Sequence, residues 1–247
     1  MEAFDSNISK DRVPTHVSII MDGNGRWAEQ RGHERVYGHK HGVESVRACV
    51  EASVEAGVRY LSLFAFSSEN WGRPEAEVST LMRLMFKAIA DEIESLKKNR
   101  VRFRVLGDFS RLDPALVEAI RSAEEFTDPG PGEEPALDLI VFLSYSGKWD
   151  ILQAARRIVR EYSASPEAID SLDDAAFSSR LVTAGIPDPD LIIRTSGESR
   201  LSDYLLWQAA YSEFLFVDTL WPDFGKKEFF SALEEFSKRD RRYGKVK

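Results

Sequence analysis

HVSIIMDGNGRW, residues 16–27, carries the clearest strand-to-helix signal in the chain. Val17, Ile19, Ile20 and Met21 form a short apolar run suited to a buried strand. Gly23 and Gly25 then break the run, and Arg26, Trp27, Ala28 and Glu29 begin a helical pattern. A strand passing through a glycine turn into a helix presents backbone N–H groups and the positive end of a helix dipole to solvent, which suits a phosphate. Asp22 lies at the lip of that turn, where its carboxylate would repel a phosphate unless a divalent metal stood between them. The expectation is a metal-bound, phosphorylated substrate. GNGRWA also fits the G-x-G-x-x-G/A dinucleotide pattern, but that pattern wants a second strand ending in an acid about 20 residues on, and here the sequence continues as helix. No Gly-Lys-Ser/Thr follows, so it is not a P-loop. The plainer alternative, an ordinary turn with Asp22 as helix N-cap, stays open at this point.

The chain of 247 residues is long enough to bury a sizeable core without staples, and no linker divides it. A single domain over residues 14–247 is expected, preceded by a loose polar arm over residues 1–13. Hydrophobic residues at 43% and charged residues at 30% describe a soluble globular protein. The net charge of −8 argues against nucleic acid as a partner, so any phosphate site must be a local cluster of arginines. Cys49 is the single cysteine; between Val46 and Val50 it reads as a buried structural thiol in a reducing compartment. No signal peptide or membrane-spanning run is read, and a cytoplasmic protein is expected.

Six strand candidates alternate with helical patterns: Val17–Met21, Val58–Phe66, Val101–Leu106, Leu137–Leu143, Asp190–Arg194 and Phe214–Val217. Helices are expected over Gly42–Ala56, Glu75–Lys98, Pro114–Phe126, Trp149–Tyr162, Phe177–Ala184 and Lys226–Ser237, with Tyr204–Ala210 also helical. The fold class is α/β. Arg31–Lys40 reads as a cationic loop from which Arg35 and His39 close over an anion, or in which Arg35 is solvated and His39 caps the next helix. Ser67, Ser68, Glu69, Asn70, Trp71 and Arg73 follow the second strand, and loops after strand ends form the ligand crevice of an open α/β sheet, so this cluster belongs near the first turn. Arg194 and Arg200, with Thr195, Ser196, Gly197 and Ser202 among them, make a second anion cradle, because guanidinium forks match phosphate oxygens. Lys238–Lys245 is a basic tail that is either solvated or folds over a phosphate or an anionic membrane surface.

These blocks, HVSIIMDGNGRWA with GHKHG, FAFSSENWGRP, GDFSRL, SYSGKWDI and IRTSGESRLSDYLLWQAAYSEFLFVDTLWPDF, resemble in order those of the cis-prenyltransferase family, and most of all the bacterial undecaprenyl diphosphate synthases. The resemblance runs from Pro14 to Tyr243. It implies a homodimeric, Mg²⁺-dependent enzyme with a mostly parallel six-stranded central sheet surrounded by helices. Such an enzyme condenses isopentenyl diphosphate head-to-tail onto an allylic diphosphate such as farnesyl diphosphate, giving a long-chain Z-polyprenyl diphosphate for cell-wall lipid carrier synthesis. By this likeness Asp22 holds Mg²⁺ and assists departure of the allylic diphosphate, which Gly23, Asn24, Gly25, Arg26, Arg35 and His39 bind, with Trp27 beside them. Ser67 and Asn70 assist proton removal, Ser68, Glu69, Trp71 and Arg73 shape the site, Arg194, Arg200 and Ser202 grip isopentenyl diphosphate, and Glu213 acts at the metal, across the dimer interface in one version.

The sequence departs from the family's pattern at Ser199, where many members carry histidine, at Ser196 for glycine, at Asp203 for asparagine and in the block Ser144–Lys148. No essential charge is lost, so activity is expected. An apolar product tunnel is expected between the long helix carrying Leu81, Met82, Met85 and Ile89 and strands carrying Ala65, Leu137, Leu139 and Val141. A long polyprenyl product would partition into lipid, so peripheral contact with the inner face of the membrane is part of the reading. The alternatives are a catalytically weak scaffold subunit of a heteromeric enzyme, against which the presence of Asp22 argues, and a short- or medium-chain synthase.

Overall fold

Six short apolar runs pair into one parallel sheet of order β3-β4-β2-β1-β5-β6. The computed structural model describes residues 8–163 and 166–241. The strands are β1 (His16–Ile20), β2 (Tyr60–Ser67), β3 (Val101–Leu106), β4 (Leu137–Tyr145), β5 (Leu191–Arg194) and β6 (Glu213–Phe216). Every neighbouring pair is parallel. The helices are α1 (Asn24–Glu29), α2 (Arg35–Ala56), α3 (Glu75–Lys98), α4 (Pro114–Thr127), α5 (Gly147–Tyr162), α6 (Asp174–Ser178) and α7 (Lys226–Ser237).

Because side chains alternate across a strand, the sheet has two cores. Val17, Ile19, Leu61, Leu63, Leu139, Val141, Leu191 and Ile193 join residues of α2, α4 and α7 in one cluster. Ile20, Phe64, Ile140, Phe142 and Ile192 join Tyr145, Tyr204 and Leu205 in the other. On that second face the buried His16 donates through Nδ1 to the Pro187 carbonyl (2.6 Å), which leaves Nε2 to accept from Ser62 (2.8 Å). Burial pushes the His16 imidazole down to about 4, so it is neutral near pH 7. Cys49 is fully buried and burial drives its thiol pKa up, in keeping with a structural role.

Four expectations are corrected. Arg35–Gly42 belongs to α2, not to a loop: Gly38 and Gly42, one turn apart, form a flat face against which Asn24 packs, and a Cβ at Gly38 would strike the Asn24 carbonyl. The short helix runs over Asp174–Ser178 and not Phe177–Ala184, because the Asp173 carboxylate accepts from the Ala176 N–H and fixes the start earlier. Tyr204–Ala210 is not a regular helix: turns lead into a 3-10 segment at Gln208–Tyr211, after left-handed residues at Ser202, Asp203 and Leu205. The arm is docked where it is described: Ile8 and Val13 pack on the core and Arg12 donates to the Ser237 carbonyl (2.7 Å). Residues 1–7 and the tail from 242 onward lie outside the described residues. The tail's Arg239 and Arg241 are taken up by Glu213 and Asp190.

Candidate active site at the carboxyl ends of the strands

The chain leaves β1 to one side for β2 and comes back on the other side as β5, so the loops after β1, β2 and β5 diverge at one point above the sheet. Such a switch point opens a crevice in parallel α/β sheets. The register pairs Ile20 with Arg194 across β1 and β5, which sets Asp22 beside that arginine. An Arg194 amine donates to Asp22 Oδ2 at 2.8 Å, and the Gly23 N–H donates to Oδ1 at 2.7 Å. Thr195 braces the same residue: its hydroxyl donates to the Asp22 carbonyl (2.6 Å) and accepts from the Asp22 N–H (2.8 Å). Burial pushes the Asp22 carboxyl up, but the Arg194 hydrogen bond and charge, the Gly23 N–H and Arg26 outweigh it and hold the pKa below the ordinary value. Asp22 is therefore ionised at neutral pH.

Arg194 is only 4% exposed, and its buried Nε has no hydrogen-bond partner. Its terminal nitrogens are occupied by Asp22, the Arg200 carbonyl (2.5 Å) and the Ser202 hydroxyl (2.7 Å). Arg26 donates to Ser196 Oγ (2.7 Å) and to Glu198 (3.2 Å), while Arg200 donates to the other oxygen of Glu198 (2.5 Å). Glu198 thus bridges the arginine of the first turn and that of the β5 loop. The Arg35 guanidinium lies over Gly25, where a Cβ would come within 2.5 Å of it, and pairs with Glu29 at 2.9 Å. With only six residues, α1 has a weak dipole, so attraction for an anion here comes chiefly from Arg26, Arg35 and Arg194.

From this charged rim a cavity of about 360 Å³ runs down between α2, α3 and the sheet. Asp22, Asn24, His39, Ser67, Asn70, Arg73, Arg194 and Ser202 line its polar part. Its walls are apolar, from Ala65, Phe66, Leu139 and Val141 on the strands to Leu81, Met82, Met85 and Ile89 on α3, and it reaches Asn99 and Val101 at the other end of the sheet. Leu137, expected in the same wall, is buried within the core and does not line the cavity. The cavity explains why α3 carries so wide an apolar face yet buries only Val78 and Ile89 of it: the face lines a hollow. His39 sits on this lining, and burial, followed by the charges of Arg73 and Arg35, lowers its pKa to about 4. Its imidazole is neutral near pH 7.

The remaining expected residues divide. Gly23 is left-handed at the head of α1 and close against Leu220 and Ser196. Asn70 Oδ1 accepts from the Ser67 N–H (3.0 Å), which fixes the turn after β2, and Arg73 pairs with Glu77 (3.1 Å). Trp71 is positioned by its N–H donating to Ser144 Oγ (2.9 Å), with Phe66 at its edge and Arg111 over its ring; Ser68 reaches the Ser144 carbonyl. Glu69 is exposed. Trp27 does not line the cavity: its N–H donates to Asp223 (2.7 Å) and its ring packs beside Tyr37 and His41. Glu213 is not brought to Asp22 within the chain. It starts β6 at the opposite end of the sheet, paired with Leu191, and is held by Arg239 at 3.0 Å.

Sequence reasoning passed over Glu198 and took Thr195 for a phosphate ligand rather than a brace; an acid between two arginines was the available signal for the first. It also missed Trp221, whose N–H groups hold Asp22 and Gly42 (both 3.0 Å). Two of the departures from the family's pattern meet in space, since Ser146 donates to Asp203 at 2.5 Å. Among the described residues no group of three or more His, Cys, Asp or Glu side chains could hold a metal. One ionised carboxylate among arginines nevertheless fits Mg²⁺, which is commonly held by one or two carboxylates together with substrate phosphates.

The family model described as "Putative undecaprenyl diphosphate synthase" matches residues 20–244. The chain is 49% identical over 236 residues to an isoprenyl transferase of Agrobacterium fabrum, covering 96% of this chain and 94% of the relative. It is 44% identical over 237 residues to the ditrans,polycis-undecaprenyl-diphosphate synthase ((2E,6E)-farnesyl-diphosphate specific) of Haemophilus influenzae, covering 96% and 98%. Among solved structures, lavandulyl diphosphate synthase from Lavandula x intermedia, in complex with dimethylallyl diphosphate, superposes with a TM-score of 0.90 at 33% identity, over 95% of this chain and all of that one.

Proposed function

Because the chain belongs to the undecaprenyl diphosphate synthase family of prenyltransferases, we propose that it condenses isopentenyl diphosphate head-to-tail onto farnesyl diphosphate with Z geometry, to give undecaprenyl diphosphate. One observation carries the reading: a single cavity joins a rim of arginines around an ionised aspartate to a long apolar interior. Diphosphates suit the rim and a growing hydrocarbon suits the interior.

In this reading the allylic diphosphate lies over the Gly23–Arg26 turn, gripped by Arg26 and Arg35, and its chain enters the cavity past His39. Isopentenyl diphosphate lies on the β5 loop, held by Arg194, Arg200 and Ser202. The allylic C1–O bond breaks as a bond forms from isopentenyl C4 to that carbon, and a proton leaves isopentenyl C2 beside Ser67 and Asn70. Guanidinium groups fixed before substrate arrives stabilise the charge that develops on the departing diphosphate. Mg²⁺, which Asp22 would hold, supplies further charge neutralisation at the diphosphate oxygens when bound. The apolar walls keep water from the allylic cation. Homodimerisation belongs to the proposal and is supported by exposed Tyr211 and Phe216 near the β6 edge. No helix among the described residues is long and apolar enough to cross a membrane, and any contact with lipid is proposed as peripheral.

The test is incubation with radiolabelled isopentenyl diphosphate, farnesyl diphosphate and Mg²⁺, with the products sized by chromatography. A product of undecaprenyl length, absent with EDTA, is expected. Short products would keep the chemistry and move the assignment to a shorter-chain synthase; no condensation by a folded protein would favour the scaffold subunit.

A further inference from the structure

The β5 loop that carries Arg200 and Ser202 is held in a conformation that its residue types do not favour. Ser202, Asp203 and Leu205 have φ of +52°, +60° and +45°, and each has a Cβ that makes the left-handed region costly. Such a conformation persists only where its surroundings over-determine it. Three hydrogen bonds to the start of α5 do so, all through Asp203. Its Oδ2 accepts from Ser146 Oγ (2.5 Å), its Oδ1 accepts from the Lys148 N–H (3.0 Å), and its carbonyl accepts from the Gly147 N–H (2.6 Å). A Cβ at Gly147 would come within 3.0 Å of the Leu206 nitrogen and 3.1 Å of the Asp203 carbonyl, so loop and helix approach here as closely as backbones allow. The carboxylate also sits at the positive end of a helix of 16 residues, where a negative charge is stabilised.

Immediately before this clamp, Ser202 Oγ and the Arg200 carbonyl both accept from Arg194. We infer that Asp203 is a positioning residue for the isopentenyl diphosphate cradle: by fastening the loop to α5 it sets Ser202 and the Arg200 backbone against Arg194, and with them the spacing of the guanidinium groups that receive the diphosphate. The inference rests on the proposed function for the identity of that anion. The hydrogen bonds of Asp203 run to Ser146, Gly147 and Lys148 and not to the Gly23–Arg26 turn, so its effect falls on one substrate and spares the other.

Steady-state kinetics of Asp203→Ala, Asp203→Asn and Ser146→Ala, varying each substrate at saturating levels of the other, separate this role from general stabilisation. Asp203→Ala should raise KM for isopentenyl diphosphate about tenfold, the loss of roughly one strong interaction, with KM for farnesyl diphosphate unchanged within twofold. Asp203→Asn should restore most of the loss, since an amide oxygen can still accept from Lys148 and its N–H can donate to Ser146. Ser146→Ala removes one bond of the three and should give a smaller rise in the same KM. Calorimetric titration of isopentenyl diphosphate without allylic substrate gives a readout independent of turnover, and the Ala variant should bind about tenfold more weakly. Binding without condensation in the wild type would sink the proposed function and leave the positioning role to the titration. Equal rises in both KM values, or unchanged isopentenyl diphosphate binding in a folded Asp203→Ala protein, would overturn the inference.

Discussion

The two proposed diphosphate cradles face each other across Asp22 and are built by opposite means. The one after β1 is a backbone construction: Gly23 is left-handed, Gly25 admits the Arg35 guanidinium, and Gly38 and Gly42 let α2 close onto Asn24. The one after β5 contains left-handed residues that are mostly not glycine, and it is held by side chains, with Thr195 on Asp22, Arg194 on Ser202, Glu198 on two arginines and Asp203 on α5. A site made of close backbone approaches fails when an atom is added, whereas a site made of side-chain bonds fails when one is removed.

That difference can be broken first where the cradles meet. Asp22→Ala should lower kcat by about a thousandfold, the scale for losing a fixed charge at a reacting centre, with the circular dichroism spectrum unchanged. A fall of less than tenfold would remove Asp22 from the chemistry. Next in size, Gly38→Ala adds a methyl where the Asn24 carbonyl already sits, and should destabilise by about 3 kcal/mol in urea denaturation, at the upper end for overpacking. Ser202→Gly, in the other cradle, relieves a left-handed residue but removes the hydroxyl that accepts from Arg194. The two effects are each about 1 kcal/mol and oppose one another, so stability should change by less than about 1 kcal/mol, and the lost bond shows instead as a raised KM for isopentenyl diphosphate. Equal costs at the two positions would erase the contrast.

A third outcome sets the cradles against the floor beneath them. Burial holds both His16 and His39 near pKa 4, while an unfolded imidazole titrates at 6.5. The unfolded chain then binds more protons between pH 6.5 and 4, so stability should be full above 6.5 and fall through that window, by up to on the order of 3 kcal/mol for His16. Asp22, held below its ordinary value, adds a loss in the same direction at lower pH. Urea midpoints at pH 7.5, 5.5 and 4.5 measure the slope; flat midpoints would mean that His16 and His39 are protonated in the folded state. The smallest effect belongs to Ser196→Gly, which relieves a φ of +77° and loses the bond from Arg26. The two terms are each about 1 kcal/mol and oppose one another, so Tm should hardly move while KM for farnesyl diphosphate rises about threefold.

What could be read from the sequence follows the same division. The strands were legible because buried parallel strands are written as apolar runs, and the Gly-Asn-Gly turn because glycine marks backbone that other residues avoid. α3 was legible in extent, and its excess of apolar residues anticipated a hollow. The start of α2 was not, since Arg31–Lys40 is polar and punctuated by glycine; its helicity comes from packing Gly38 and Gly42 on α1, a tertiary fact. The β5 loop was legible as a cluster of arginines and hydroxyls but not as a mechanism, because which hydroxyl braces and which binds depends on register with β1. Glu213, named through a likeness as acting at the metal with a dimer interface as one version, lies at the far end of the sheet from Asp22 of its own chain.

Two cradles, each serving its own diphosphate, can be told from one by measuring both KM values in Arg35→Ala and Arg200→Ala, two arginines with half or more of the side chain exposed. The prediction is a crossed result: Arg35→Ala raises KM for farnesyl diphosphate by about tenfold and leaves that for isopentenyl diphosphate within twofold, and Arg200→Ala does the reverse. If both variants raise the same KM, or raise both alike, the rim is one undivided anion site and not two cradles.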